Sequence, residues 1–289
     1  MPVILKAGTN EDIHETVPFC NGFSVFSHFL TGRNTKIIKE RGREKGIEDT
    51  VKQELNVWDY FDRIYCISLE KREERRRAAA ASFAEVGLTG KVEFVLVQPH
   101  PSNIEQGIYE SHMTCLRKGL EAGAESIVVF EDDIIFDRFD AEHFQQCIQF
   151  LEKKPDWKVL LLGALISSSR KTDNPFIQKV GYHSLAHAYA LKRSYAETLA
   201  YEPWRGIVAD ILFCSLDKDI YAVYPMFAFQ NDFPSDNDKK YKWLERFRRL
   251  CGGMKRIQKA NEFYRRHTFS VIAAHVVIIL SVLIFFFER

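Results

Sequence analysis

The sequence predicts an α/β domain built on a mostly parallel Rossmann-type sheet flanked by helices, with an apolar C-terminal helix behind it. Three observations predict this fold class. From Tyr60 onward, short apolar runs alternate with segments of helical length. One run, Ile127 to Phe130, is apolar throughout, as expected of a strand that is covered on both faces. The stretch 268–287 carries no formal charge and is long enough to span a bilayer.

The predicted elements follow one another regularly between residues 60 and 163. Strands are predicted at 63–69, 92–97, 127–130 and 158–162, and helices at 71–86, 105–122 and 140–153. Gly87 ends the first helix and Gly163 ends the fourth strand. Strands that alternate with helices favour parallel pairing with right-handed crossovers. The region 184–229 repeats the alternation less regularly, and 231–238 is a polar loop.

Composition excludes several classes of protein. The net charge of +1 gives no general attraction to nucleic acid, so we expect no nucleic-acid partner. The six cysteines are scattered without a CxxC pair, which indicates neither a disulfide framework nor a zinc site. This cysteine pattern favours a reducing compartment.

The C-terminal region predicts a membrane anchor. Eleven Lys or Arg residues lie between Lys239 and Arg266, against the two acids Glu245 and Glu262, and the uncharged stretch begins directly after His267. Basic residues beside a span would contact anionic headgroups, and by the positive-inside tendency they place the globular part on the cytoplasmic face. The alternative is a buried C-terminal helix, but the final Leu283–Phe287 is apolar all round rather than along one stripe.

Three consecutive acids end the most apolar predicted strand. Glu131, Asp132 and Asp133 follow Phe130, and ligands of open α/β sheets bind beyond the carboxyl ends of the strands. Adjacent carboxylates repel one another, and Mg²⁺ or Mn²⁺ held by one or two of them plus substrate phosphates would neutralise the charge. The alternative is an acidic turn without a ligand.

An ordered set of motifs identifies a family. The segments Ile67-Ser-Leu-Glu-Lys-Arg-Glu-Glu-Arg75, Gly107-Ile-Tyr-Glu-Ser-His112 and Val128-Val-Phe-Glu-Asp-Asp133 occur in this order, followed by Asp210, Pro225, Gln230, Ser235 and Asp236. Together they resemble glycosyltransferase family 25, which includes lipooligosaccharide galactosyltransferases and collagen galactosyltransferases. The resemblance covers about residues 60–238. It implies an unassigned extension at 1–57, a GT-A-like domain at 58–238, a basic juxtamembrane segment at 239–267 and a transmembrane anchor at 268–287.

The resemblance also implies roles for individual residues. It assigns a metal ion to Glu131 and Asp133, with Asp132 or Glu131 alternatively bonding the donor ribose. It assigns donor binding to Ser68, Arg72, Arg75, Ser111, Glu131 and Gln230, and catalysis to Asp210, Asp132 and His112. The family's usual Asn is Ser68 here, which offers fewer hydrogen bonds.

Each of these residues also has a plainer interpretation. Arg72 and Arg75 lie in a charged run that is also typical of a solvated helix surface, and a lone His such as His112 is often structural. Asp210, in apolar surroundings that would raise its pKa, suits a general base but is equally placed to cap a helix. Asp232 and Asp236 are rival bases.

The function implied by the resemblance is metal-dependent, inverting transfer of galactose from UDP-galactose to a lipooligosaccharide, lipopolysaccharide or other glycan acceptor. The cofactor is Mn²⁺ or Mg²⁺, and the expected location is the cytoplasmic face of a bacterial inner membrane. One alternative is a non-catalytic nucleotide-sugar-binding or scaffold protein at the membrane. A metal-dependent phosphohydrolase ranks last, because the extra His and Asp ligands of two-metal sites are missing.

Overall fold

The computed structural model describes residues 56–214, 219–231, 246, 248 and 250–287. The prediction for residues 1–57 therefore lies almost entirely outside the described residues. The helices are α1 (Glu73–Glu85), α2 (Ile104–Glu121), α3 (Ala141–Glu152), α4 (Arg193–Leu199), α5 (Met254–Arg266) and α6 (Thr268–Phe287). The strands are β1 (Arg63–Leu69), β2 (Val92–Val97), β3 (Ser126–Glu131), β4 (Ile134–Phe136), β5 (Val159–Lys171), β6 (Ile177–Lys192), β7 (Ile220–Val223) and β8 (Ala228–Gln230). Short 3-10 helices lie at Val57–Tyr60 and Ala209–Ile211.

The central sheet has six strands in the order β2-β1-β3-β6-β5-β7. Strand β1 pairs in parallel with β2 and β3, and β5 pairs in parallel with β7. Only β6 runs antiparallel to its neighbours in this sheet. Strand β3 is fully buried from Ser126 to Phe130, which accounts for its unbroken apolar run. The predicted class, a mostly parallel sheet flanked by helices, is confirmed.

The fourth predicted strand is longer than the sequence indicates. Its expected end is Gly163, but β5 continues to Lys171 and returns as β6 in an antiparallel hairpin. The turn signal Asp173-Asn174-Pro175 lies between the two strands, where the Asn174 side chain accepts a hydrogen bond from the Phe176 amide at 2.8 Å. Gly163 is therefore an interior residue of the strand rather than its end.

Gly163 is required because another strand passes very close to it. A Cβ atom at this position would lie 1.9 Å from the Ala228 carbonyl oxygen and 2.9 Å from His187 Nε2. Ala228 begins β8, so the close approach holds the small β4–β8 sheet against the central sheet. We expect Gly163→Ala to lower the free energy of unfolding by about 3 kcal/mol, since the backbone has to move.

Chemical denaturation of Gly163→Ala measures this loss. Gly90→Ala is a control for glycine replacement, because no atom lies within 4 Å of the added Cβ, although its φ of +72° adds local strain. A Gly163→Ala protein no less stable than Gly90→Ala would contradict the assigned packing of β8.

Polar side chains of helix α5 form hydrogen bonds to both sheets. Gln258 donates to the Ala228 carbonyl at 2.9 Å, and Asn261 bonds both the amide and the carbonyl of Ile166 at 2.9 and 3.1 Å. Glu262 is buried, accepts from Arg138 at 2.9 Å and also accepts from the Met226 amide, just before β8. The second half of the predicted basic segment 239–267 thus packs on the domain, while residues 239–245 lie outside the described residues.

Helix α6 differs from every other long helix described, because none of its 20 residues is buried. Its alternative interpretation as a buried core helix is therefore excluded. Within the described part of the chain it is the one helix whose length and composition would allow it to cross a membrane. It follows α5 after a single residue, His267.

Candidate active site

The three acids lie where β3 ends and the chain turns into β4. Glu131 is the last residue of β3 and is in register with Ile67 of β1, and Asp132 and Asp133 form the turn. Ile134 then pairs with Gln230 of β8, and the Asn231 amide donates to the Asp133 carbonyl at 2.7 Å. The acids therefore occupy the carboxyl edge of the parallel strands, as predicted.

Both carboxylate oxygens of Asp132 contact other side chains of the protein. Ser68 Oγ donates to Oδ2 at 2.7 Å, and Arg75 Nη1 lies 3.2 Å from Oδ1. Asp132 is 6% exposed and Ser68 is 1% exposed. Asp132 thus links β1, α1 and the end of β3, and the Ser68 hydroxyl makes the bond to β1. The predicted role of Asp132 in catalysis stays a prediction.

Asp133 has a buried oxygen, Oδ1, without a hydrogen-bond partner in the described structure. Burial raises the pKa of this carboxyl well above its usual range, the charge of Glu131 raises it further, and Arg75 opposes both. An orphaned carboxylate oxygen beside a second acid suits a hard cation. No group of three or more His, Cys, Asp or Glu side chains that could hold a metal is found among the described residues. A metal here would therefore draw its other ligands from substrate phosphates and water.

His112 is fully buried in α2 and links an acid to a tyrosine. Its Nδ1 lies 2.9 Å from the Tyr189 hydroxyl, and its Nε2 lies 3.4 Å from Glu131 Oε1. A carboxylate only accepts, so in the neutral ring Nε2 carries the proton and Tyr189 donates to Nδ1. The structure thus brings His112 to the acids, where it can orient Glu131. Its neighbour Ser111 donates to the Gly107 carbonyl at 2.6 Å, within its own helix.

Both predicted arginines line the same cleft as the acids. Arg72 precedes the first residue of α1 and Arg75 lies in its first turn, and both are half-buried. The cleft has a volume of about 160 Å³ and spans the ends of β1, β2 and β3. It is lined by Ile67, Ser68, Leu69, Arg72, Arg75, Val97, Gln98, Pro99, His100, Ile104, Gly107, Ile108, Ser111, His112, Glu131, Asp132 and Asp133. The alternative of a purely solvated arginine surface therefore does not fit these two residues.

The predicted acceptor side is less fully described. Gln230 ends β8 beside the acids and is half-buried, but it does not line the cleft. The backbone of Asp210 lies in the 3-10 helix Ala209–Ile211, which packs against β6 and α2. The Asp210 side chain, together with Asp232, Ser235 and Asp236, lies outside what the structure describes, so the choice of base stays a prediction.

Sequence reasoning missed the cleft wall that follows β2. Val97, Pro99, His100, Ile104 and Ile108 line it. The strand-end rule that located the acids applies equally to β2, and would have pointed to the residues after Val97. Gly107 is part of the same wall, since a Cβ atom there would lie 2.7 Å from His100 Cβ.

A known family model matches the central part of the chain. Residues 97–212 match the sequence model of glycosyltransferase family 25 (LPS biosynthesis protein). The family predicted from the motifs is confirmed. The family 25 segment contains α2, β3, the acid triplet and His112, whereas the arginines of α1 and Gln230 lie outside it. The match supports a glycosyltransferase.

Solved structures share parts of the fold at low identity. A197 from STIV is 14% identical with a TM-score of 0.40, covering 59% of this chain and 85% of that one. A mannose-1-phosphate geranyltransferase from Thermus thermophilus is 13% identical with a TM-score of 0.36, covering 64% of this chain and 78% of that one. A glycosyltransferase involved in glycosylation of the major capsid of PBCV-1 is 11% identical with a TM-score of 0.30, covering 63% and 75%. Likenesses this low do not bear on activity. A search of curated proteins finds no significant match.

Proposed function

We propose that this protein is a metal-dependent, inverting glycosyltransferase that transfers galactose from UDP-galactose to a lipooligosaccharide, a lipopolysaccharide or another lipid-linked glycan. The family 25 match supports sugar transfer. The observation that carries the proposal is the buried Oδ1 of Asp133, which has no hydrogen-bond partner in the described part of the chain and lies beside Glu131 in a cleft that also contains Arg72 and Arg75. Carboxylates and guanidinium groups in one cleft suit a ligand that brings both a metal ion and phosphates.

The charges of the cleft match those of a departing nucleoside diphosphate. Arg72 and Arg75 would bind its phosphate oxygens, which carry the negative charge that develops as the sugar leaves. Glu131 and Asp133 would hold Mn²⁺ or Mg²⁺, which supplies Lewis-acid stabilisation of the same charge when bound.

Buried partners hold the reacting groups in place. Asp132 fixes the guanidinium of Arg75 from one side, and Ser68 fixes Asp132. His112, backed by Tyr189, orients Glu131. Preorganised charges of this kind avoid rearrangement during the reaction.

Removal of the acceptor proton requires a base, for which we retain Asp210 with Asp232 and Asp236 as rivals. Support for Asp210 comes from its backbone position, because the 3-10 helix that contains it packs against α2, which also carries His112. A carboxylate within hydrogen-bond reach of the acceptor hydroxyl would take its proton.

Membrane attachment through α6 completes the proposal. An exposed apolar helix directly behind a basic helix supports a single-pass anchor with the domain on the cytoplasmic face of a bacterial inner membrane. Anchoring would confine the enzyme to the surface where a lipid-linked acceptor lies, and so raise the effective concentration of that acceptor.

Release of nucleoside diphosphate from a panel of nucleotide sugars tests the proposal. We expect release from UDP-galactose with Mn²⁺ or Mg²⁺ and glycolipid acceptor, and none after chelation. Tight donor binding without turnover against a broad acceptor panel would instead indicate a binding protein. Release that persists in chelator would exclude the metal from the proposal while leaving the transferase.

A further inference from the structure

The end of the cleft that lies away from the acids is apolar. Its apolar wall is formed by Val97, Pro99, Ile104 and Ile108, and the Ile104 side chain is 48% exposed. This end follows β2, whereas the acids follow β3, and β1 lies between these two strands. Strands are about 4.8 Å apart, so the two ends are about 10 Å apart. A nucleoside diphosphate placed with its phosphates at the arginines would direct its base toward the apolar wall.

Two polar side chains, Gln98 and His100, line this apolar end. Gln98 donates to Glu70, whereas the hydrogen bonds of His100 determine its tautomer. Nδ1 accepts from the backbone amides of Asn103 at 3.0 Å and Ser102 at 3.4 Å. A backbone N–H can only donate, so Nδ1 carries a lone pair and the ring proton is on Nε2. His100 therefore presents its ring N–H donor at Nε2.

Nε2 of His100 is left for a ligand. No hydrogen bond to it is found within the described ranges. The ring position is fixed by α2, because Gly107 lets that helix approach His100 Cβ closely. A rigid donor on an apolar wall suits a flat ring that carries a carbonyl oxygen at its edge.

We infer that this end of the cleft is a nucleobase subsite, in which His100 Nε2–H donates to a carbonyl oxygen of uracil; the inference rests on the proposed function. Uracil presents carbonyl oxygens at its edge. Adenine has no carbonyl oxygen, and its ring-nitrogen acceptor N7 lies beside an amino group that would oppose a fixed donor. A site built around one donor rejects a base that leaves this donor unpaired. His100 is thus a residue that determines the choice of nucleotide.

Nucleotide binding without any acceptor tests the inference. The dissociation constants of UDP and ADP are measured with Mn²⁺ on the full chain, on His100→Leu and on His143→Leu. His143 lies in α3 and does not line the cleft, so it controls for loss of a histidine. We expect the wild type and His143→Leu to prefer UDP by at least about 10-fold. His100→Leu should weaken UDP by about 10-fold, equivalent to about 1.4 kcal/mol, and leave ADP unchanged.

The possible outcomes separate the inference from the function on which it rests. Equal binding of UDP and ADP by the wild type would overturn the uracil subsite and leave the transferase standing. An equal loss of both nucleotides in His100→Leu would also overturn it, since His100 would then act on the phosphates or on the fold. Absence of binding by either nucleotide to the wild type would overturn the proposed UDP donor as well.

Discussion

Replacement of Asp133 by Asn is expected to reduce sugar transfer by about 100-fold or more while leaving the fold intact. Loss of a residue that merely supports a metal ligand already costs about 10- to 100-fold, and Asp133 is assigned as a ligand itself. Asparagine keeps the shape of the side chain but removes the charge that would attract the cation. Steady-state rates of nucleoside diphosphate release at saturating donor, with Mn²⁺ varied, measure the effect.

Asp156→Asn is the matched control, because Asp156 is exposed and far along the chain from the acid triplet. It should retain wild-type activity. Full activity in Asp133→Asn would remove Asp133 from the metal site and leave Glu131 as the only assigned ligand.

The same substitution should stabilise the protein in the absence of metal. Burial raises the folded-state pKa of Asp133, so its contribution to stability is fully present below the unfolded pKa and is lost as pH rises through the folded pKa. At neutral pH the wild type has therefore lost this contribution to its stability. Asp133→Asn has no ionisable group at this position, so its stability is not lowered in this way. We therefore expect a higher unfolding temperature for Asp133→Asn at pH 7 in chelator, with a smaller difference near pH 4. Mn²⁺ should raise the unfolding temperature of the wild type only.

Removal of residues 268–289 is expected to move the protein from the membrane fraction to the soluble fraction without unfolding it. No residue of α6 is buried, so the deletion exposes no core, whereas α5 keeps its bonds to Ala228 and Ile166. Insertion of a transmembrane helix is effectively irreversible, so its loss has an all-or-none effect on location. Alkaline extraction of membranes and thermal unfolding of the soluble product measure the two parts of this prediction.

The control is a charge placed within the span. Ile278→Arg keeps the helix length but places an arginine in the middle of α6, at a cost of about 3 kcal/mol for insertion. Membrane retention should fall less in Ile278→Arg than in the deletion. A truncated chain that still resists alkaline extraction would show that α6 is not the anchor. One that unfolds would show that α6 packs on the domain.

Local sequence signals were sufficient for most of the parallel part of the fold. The apolar run of β3, the helical segments α1 and α2 and the strand β1 form where their residues predicted, because each depends on burial pattern or on a local stop such as Gly87. The hairpin β5–β6 was not predicted, because the sequence at Gly163 is compatible with either a strand end or a close crossing. The Ala228 carbonyl, 65 residues away in the chain, decides between these two possibilities.

In the candidate site, too, some features follow from the sequence and others only from the fold. The sequence by itself determined that acids end a buried strand, that arginines begin the first helix and that a long apolar segment follows the basic one, since these are matters of residue type and order. Only the tertiary structure decided that Asp132 bonds Ser68 and Arg75 while an oxygen of Asp133 has no partner among the described residues, and that His100 lines the same cleft. Three adjacent carboxylates are equivalent in a sequence. They become different only when long-range packing gives each one its own neighbours and its own exposure to water.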